Sequence, residues 1–537
     1  MSTISATPTH FARKATGLVR QAGALDVFIY NVNFINIAIG VAFMFLYMPN
    51  GSYPGVNIYW STILCTLFVL PTSLVYAMFA AAMPRSGGEY VYASRAVSPL
   101  VGFAASWNYT IWCFFYIGVP AAFLGKYGIS ALFRPLGVYF NAPGLIDLGN
   151  WFSTPLGTAL TGTALIALFA WIFVYGVNLY MKIQNYCFLI ASIGLVVTLF
   201  ILFQHTPADS ITAFNDYAKS FTHSPDTYGA IVKKLGANAV TEAPYSWHGT
   251  LVSMTWPFTV LGFSIASAYI GGEIKGATHS QMIGMPMSLI YSALWLLVLS
   301  WATLHAFGFV FMGNLGAVTP TDVNLAFTPV FSELAAVLTH NLFLILLIGI
   351  SFALWTYAWL PIYILTCTRN LLAWALDGLL PQRIADVNDS THSPLTAIVF
   401  SSLLGVVFLW IYAYDATFAT ITGFFGQVCG TFVLTSIAAI VFPYTQKDMY
   451  KASPVAWTFA GLPVLSILGV LSLIGMLIIA WAFLNDPQSG ISFAQPFMLE
   501  VNAGVFAGGF IFYLIVRALR ARQGLDISLA FKEIPPE

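Results

Sequence analysis

Phe459-Ala460-Gly461-Leu462-Pro463-Val464-Leu465-Ser466-Ile467-Leu468-Gly469-Val470-Leu471-Ser472-Leu473-Ile474-Gly475-Met476-Leu477-Ile478-Ile479-Ala480-Trp481-Ala482-Phe483-Leu484 carries no charged residue, and the charge-free run around it extends over Ala452–Asn485. A helix needs about 20 mostly apolar residues to cross the hydrocarbon of a bilayer. In that medium the backbone must satisfy its own N–H and C=O groups, which a helix does internally. The stretch therefore reads as a membrane-spanning helix, and Leu148–Met181, equally free of charge, reads the same way. Worked outward with the same ruler, the chain divides into twelve spans near 26–48, 58–83, 97–125, 156–178, 182–204, 251–271, 284–312, 341–374, 395–414, 417–442, 459–484 and 503–521. The expectation is an all-α integral membrane protein with twelve transmembrane helices.

Composition agrees. Of 537 residues 59% are hydrophobic and 7% charged, whereas a soluble domain carries roughly a quarter charged residues. So few charges cannot cover a water-facing surface of this size, so most of the surface must meet lipid. The formal net charge is zero, which argues against a nucleic-acid partner. Cys65, Cys113, Cys187, Cys367 and Cys429 all lie in apolar runs without CxxC or Cys/His spacing. They read as packing residues rather than a disulfide framework or metal site. Met1–Arg20 leads into a long apolar run with no short hydrophobic region and cleavage site, so a cleaved leader is not expected.

Basic residues set the orientation. With an even number of spans and the N-terminus inside, only Lys126, Arg134, Lys219, Lys233 and Lys234 of the 20 basic residues fall outside. All the others fall inside, as the excess of Lys and Arg in inner loops requires. The expectation is a multi-pass protein of the cell (plasma) membrane with cytoplasmic N- and C-termini.

The span order suggests two halves. Residues 1–25 form an N-terminal tail, 26–204 hold spans one to five, and 205–250 form a long outer loop. Residues 251–442 hold spans six to ten, 443–521 the last two spans, and 522–537 the C-terminal tail. Five spans is an odd number, so the second half is inverted relative to the first, the plan of many transporters. Their first helices share a feature: Gly40 in Asn33–Ala42 and Gly262 in Trp256–Ser264 stand at mid-span. Glycine costs a helix about 1 kcal/mol against alanine. Close helix packing calls for such glycines too, and the residues alone admit both readings. A broken helix at that depth would present free N–H groups to a carboxylate and free carbonyls to an ammonium.

Four further segments carry a resemblance. Met83-Pro84-Arg85-Ser86-Gly87-Gly88-Glu89-Tyr90-Val91-Tyr92-Ala93-Ser94-Arg95, followed by Gly102-Phe103 and Trp107, resembles the loop between helices 2 and 3 of the amino acid–polyamine–organocation (APC) permeases. Gly271-Gly272-Glu273-Ile274-Lys275 is similar to that superfamily's segment after helix 6. Arg369–Pro381, ending in Ser393-Pro394, is similar to its segment after helix 8, and Gly176–Asn185 to its helix 4–5 connection. The resemblance covers residues 26 to about 445. The resemblance implies a five-plus-five inverted-repeat (LeuT-like) fold with two added C-terminal helices, acting as an amino acid permease. It implies that Ile37, Ala38, Ile39, Gly40 and Val41 offer N–H groups to a substrate carboxylate. It implies that Leu261, Gly262, Phe263 and Ser264 offer carbonyls to the amino group, with Phe258 covering the substrate from outside. Arg85, Glu89, Arg95 and Glu273 are read as a cytoplasmic gate, with Asp377 as a further partner.

The sequence departs from the APC pattern at informative places. Gly40-Val41-Ala42 stands where many members read Gly-Ser-Gly, and Gly262-Phe263-Ser264 where many read Gly-Phe-Glu. Ile190-Ala191-Ser192 stands where proton-coupled members often carry a lysine. A sodium reading would draw on the hydroxyls of Thr356, Thr366 and Thr368, although Thr in membrane helices commonly bonds its own backbone. The coupling ion, proton or sodium, stays open. No Asp, Glu, Lys or Arg lies within a turn of either expected break, so a charged substrate side chain would go uncompensated. The expectation is secondary active transport of neutral, apolar or small amino acids by alternating access. Exchange of amino acids, or transport of another small organic solute, is the alternative. No cofactor is expected. An enzyme would need a nucleophile or metal cluster and a channel a filter, and neither pattern occurs.

Overall fold

The computed structural model describes residues 17–325, 327–494 and 496–531. Arg13, Lys14 and Lys532 of the charge pattern lie outside the described residues. Among the described residues, 11 helices are long and apolar enough to cross a membrane. They are Ala24–Tyr47, Ile58–Ala82, Pro99–Tyr139, Pro155–Val174, Val177–Phe203, Ala277–Phe307, Leu342–Leu376, Leu395–Tyr414, Phe424–Thr445, Val464–Asn485 and Phe497–Arg522. All eleven answer to segments read from the sequence. The remaining one, 251–271, is not a continuous helix: it divides into Trp247–Val252, Thr255–Leu261 and a 3-10 turn at Ala266–Tyr269.

The first span is divided as well, into α1 (Ala24–Ile35) and α2 (Ile37–Tyr47). It is followed by α3 (Ile58–Ala82), the short α4 (Glu89–Ala96) and α5 (Pro99–Phe123), which continues through a π-turn to Tyr139.

The interior is polar in places where the exterior is not. Trp171, Tyr186, Leu189, Phe200, Leu403, Ile474 and Leu514 are exposed, whereas Asn31, Asn36, Asn108, Gln184, Gln281 and Gln427 are buried. An exterior carrying so many large apolar side chains matches a lipid environment. The buried amides tie helices together. Asn108 Nδ2 donates to Gly426 O at 2.8 Å and Thr431 Oγ1 at 3.0 Å, and Asn370 Nδ2 donates to Thr110 Oγ1 at 2.7 Å.

The expected 205–250 loop is folded onto the bundle. It forms helices Pro207–Thr222 and Thr227–Leu235. Ser210 Oγ donates to Ala306 O at 2.6 Å, and the Tyr217 hydroxyl donates to Glu333 at 2.5 Å. Arg134 grips the same carboxylate with two bonds of 2.8 and 3.0 Å. The other end of the bundle gathers the first and last described segments. Gln21 and Ala22 N–H groups donate to Glu273 O, Arg95 reaches Ala530 O, and Arg520 donates to the carbonyls of Gly378 and Leu380. This end is called the terminal face below.

Candidate functional site

The break in the first span falls at Asn36, one turn before the expected Gly40. Asn36 is left-handed, with φ 60 and ψ 75. Asparagine enters that region more readily than other non-glycine residues. Its side chain also replaces what the helix loses. The amide oxygen accepts from Ile39 N at 3.4 Å and the amide nitrogen donates to Trp355 O at 2.8 Å. The N–H groups of Ile37 and Ala38 then have no partner among the described residues, while Gly40 N already bonds Asn36 O at 2.9 Å. Of the predicted binding segment, Ile37, Ala38 and Ile39 therefore lie at the break. Gly40 and Val41 are ordinary helix. Gly40 serves packing: a Cβ there would lie 3.1 Å from both Leu296 and Val260.

The break in the sixth segment stands where it was expected. The helix Thr255–Leu261 ends on Gly262, whose N–H bonds Phe258 O at 3.0 Å, and Phe263 N bonds Val260 O at 3.1 Å. Past this turn, the carbonyls of Gly262 and Phe263 accept nothing among the described residues. The Ser264 hydroxyl is buried and unpartnered. The Phe258 ring lies directly over Gly262, where a Cβ would come within 3.0 Å of it.

The two breaks adjoin. The Phe34 and Phe263 rings meet edge to face at 5.1 Å, and Phe34 also meets Tyr363 at 4.8 Å. Asn31 and Ser267 exchange two bonds of 2.9 Å, and Ser267 Oγ donates on to Gln281 at 2.5 Å. Trp359 Nε1 holds the carbonyl of Phe34 at 2.6 Å. The half-helix with free N–H donors and the one with free carbonyls are thus neighbours, joined by aromatic rings and by the Asn31–Ser267 pair. Ile37, Ala38, Ile39, Val41, Phe258, Leu261, Phe263 and Ser264 are each at most 1% exposed. The region is shut off from both faces, and no Asp, Glu, Lys or Arg belongs to it.

Charge collects instead at the terminal face, in a pattern that differs from the predicted gate. Arg95 pairs with Asp377 at 3.1 Å, and the Tyr90 hydroxyl donates to the same carboxylate at 2.8 Å. Glu273 is held by Arg369, not by Arg85 or Arg95, through two bonds of 2.9 and 2.7 Å. The reason is helical position: Arg369, in the last half of Trp359–Leu376, presents the Nε–Nη2 edge of its guanidinium to the turn carrying Glu273, while Nη1 donates to Thr368. Arg85 donates locally to Pro84 O at 3.1 Å. Glu89 is fully buried and pairs with no cation among the described residues. Gly87 N bonds Tyr269 O at 3.1 Å, so the Gly87-Gly88 turn is tied to the 3-10 turn after the sixth-segment break.

Sequence reasoning passed over Asn36, Trp355 and Trp359, which create and hold the first break. The available signal was Asn36 itself, a polar residue between Ile35 and Ile37. Of the candidate sodium hydroxyls, Thr356 donates to Ala353 O at 2.7 Å and Thr368 to Leu365 O at 2.8 Å, while Thr366 has no partner. No group of three or more His, Cys, Asp or Glu that could hold a metal occurs among the described residues.

Comparison with known proteins agrees with this architecture. An uncharacterized transporter of Legionella pneumophila is 24% identical over 465 residues, covering 85% of this chain and 88% of the relative. Uncharacterized protein 399 of Sulfolobus islandicus rod-shaped virus 1 is 20% identical over 481 residues, covering 86% of this chain and 96% of the relative. The family described as amino acid permease matches residues 25–507. Two broken helices facing each other in a bundle of apolar spans, together with that match over most of the chain, place the protein in the amino acid permease family.

Proposed function

We propose that this permease is a secondary active transporter of neutral amino acids, working by alternating access across the cell membrane. One observation carries the reading: the unpartnered N–H groups of Ile37 and Ala38 and the unpartnered carbonyls of Gly262 and Phe263 belong to two helix breaks that adjoin through Phe34 and Phe263, among buried residues without charge. A zwitterion needs donors for its carboxylate and acceptors for its ammonium. A half-helix N-terminus and a broken helix end supply both without a charged side chain. Phe34, Phe263, Phe258 and Tyr363 would surround the substrate side chain, which favours apolar or small residues over arginine, glutamate or polyamines.

In this reading residues 26–204 and 251–442 are the two inverted repeats, the broken sixth segment brings the count of spans to twelve, and the terminal face is cytoplasmic. The inner gate is the network of Arg95, Asp377, Arg369 and Glu273 with the 83–95 turn. Opening toward the cytoplasm would separate that turn from Tyr269 and Glu273. Exchange of one amino acid for another, without net uptake, is the second reading. The test is counterflow in proteoliposomes. Labelled leucine or alanine should exchange against the same unlabelled amino acid, and arginine, glutamate and spermidine should not compete. Tighter competition by arginine or spermidine than by leucine would overturn the substrate assignment.

A further inference from the structure

Five carboxylates are buried in the described protein, and four are matched. Glu273 has Arg369, Asp377 has Arg95 and Tyr90, and Glu333 has Arg134 and Tyr217. Asp486 accepts from the Tyr53 hydroxyl at 2.5 Å, the Thr255 hydroxyl at 2.6 Å and Gln488 N at 2.9 Å. Glu89 is the exception. It is 0% exposed, and among the described residues neither carboxyl oxygen makes a close hydrogen bond or meets a cation, its polar neighbours being the Tyr76 and Tyr269 phenols. An ionised carboxylate buried without a cation or donors is steeply unfavourable, and the group takes up a proton instead.

Its surroundings are neutral on every side. The titratable groups facing it are Tyr76 from α3, Tyr109 and Cys113 from α5, and Tyr269 from the turn after the sixth-segment break. The Val433–Thr445 helix packed against α4 brings Thr435, bonded to Tyr76 at 3.2 Å, and no charge. On α4 itself, Arg95 and Tyr90 are both turned to Asp377. Tyr109 stacks flat on Tyr269 at 4.9 Å, and both hydroxyls lack partners. Burial pushes the Glu89 carboxyl up to about 8, with the neighbouring Tyr269 and Tyr76 phenols acting in the opposite direction.

Glu89 is also placed where a conformational change would reach it. Gly88, at φ 52, lets the backbone lie against the Tyr269 ring, where a Cβ would come within 2.7 Å of Cε1. Tyr269 closes the turn that begins at the sixth-segment break. Opening at that break would part Tyr269 from the Gly87-Gly88 turn it now bonds and expose Glu89 to the terminal face.

We propose that Glu89 is the proton-carrying site of this transporter: it holds one proton in the closed form and gives it up when the terminal face opens. Transport is thereby coupled to one proton per cycle. The inference rests on the transport reading above for its coupling step, while the protonation of Glu89 stands on geometry alone.

Two measurements on the full-length protein test it separately. Infrared difference spectra of purified protein, titrated in pH, should show a protonated-carboxyl band lost with a midpoint near 8. That band should be absent in Glu89→Gln, and its presence unchanged in Glu89→Gln would overturn the assignment whatever the transport result. In proteoliposomes, one pH unit coupled one-to-one supports about a tenfold accumulation of leucine or alanine, and the sign of the gradient that drives it tells co-transport from proton exchange. Glu89→Gln should continue to exchange labelled for unlabelled substrate without pH dependence, while its gradient-driven accumulation falls to about equality across the membrane. Counterflow in the wild type with no response to either gradient would overturn the coupling but leave the transport reading intact. Accumulation by Glu89→Gln equal to wild type would do the same.

Discussion

Replacement of Asn36 separates a broken helix from a merely bent one. Asn36→Ala loses the bond to Trp355 O and the cap on Ile39 N, each about 1 kcal/mol. Alanine held at φ 60 costs a further 1–2 kcal/mol or so. The broken form therefore becomes about 3–4 kcal/mol less favourable. A straight helix regains two backbone bonds, through the N–H groups of Ile37 and Ala38, at about 0.5–1.5 kcal/mol each. The variant should straighten, and those donors then vanish from the site. Two bonds to a charged carboxylate at about 1.5–3 kcal/mol each correspond to at least a hundredfold or so in substrate affinity. Asn36→Gly is the control. It loses the side-chain bonds but tolerates positive φ, so it should destabilise by about 2 kcal/mol and keep the break. The assay is leucine and alanine counterflow over a range of concentrations, with monodispersity and thermal unfolding measured on each variant. A well-folded Asn36→Ala protein with a wild-type KM would refute the assignment of these N–H groups to the substrate.

Three further expectations follow from the terminal face. Arg369→Ala leaves Glu273 buried without its partner and should cost about 3–5 kcal/mol, read as a large drop in thermal unfolding temperature; Arg369→Lys should recover little, since lysine cannot make both bonds. Gly88→Ala drives a Cβ into the Tyr269 ring at a positive φ and should destabilise by about 1–3 kcal/mol, measured the same way, with turnover falling because Glu89 and Tyr269 are pushed apart. The Glu89 carboxyl sits near 8 in the folded protein against an ordinary 4.5, so the folded state binds more protons between those values. Stability from this group is therefore fullest below about 4.5 and declines as pH rises toward about 8. Thermal scans should show that decline in the wild type and a flatter profile in Glu89→Gln.

Much of the fold was legible along the chain because apolar length is a local property. Eleven of the expected spans reappear, all but the third with ends within about seven residues of expectation, and the exception, 251–271, is the segment whose Gly262 had marked it as breakable. The third span runs on to Tyr139 beyond its expected end near 125, because Lys126 and Arg134 interrupt the apolar run without ending the helix. Arg134 is matched by Glu333, a partner 199 residues away. At the site, sequence placed the second break correctly and the first a turn late. Gly40 and Asn36 were both unusual at mid-span. Only packing tells them apart: Gly40 meets Val260 and Leu296, while Asn36 finds the Trp355 carbonyl across the bundle.

What the sequence determined by itself is the solvent of this protein and the class it belongs to. Apolar runs of spanning length, few charges and an amino acid permease pattern are properties of residues and their neighbours along the chain. Which charge meets which was decided by tertiary structure alone. Arg369 rather than Arg85 or Arg95 took Glu273, Arg95 took Asp377, and Glu89 was left among tyrosines. In a low-dielectric interior each pairing depends on geometry of an ångström or less, set by helices far apart in the chain. A carboxylate that reads as one more loop charge in the sequence becomes, once buried without a cation, a group that must hold a proton.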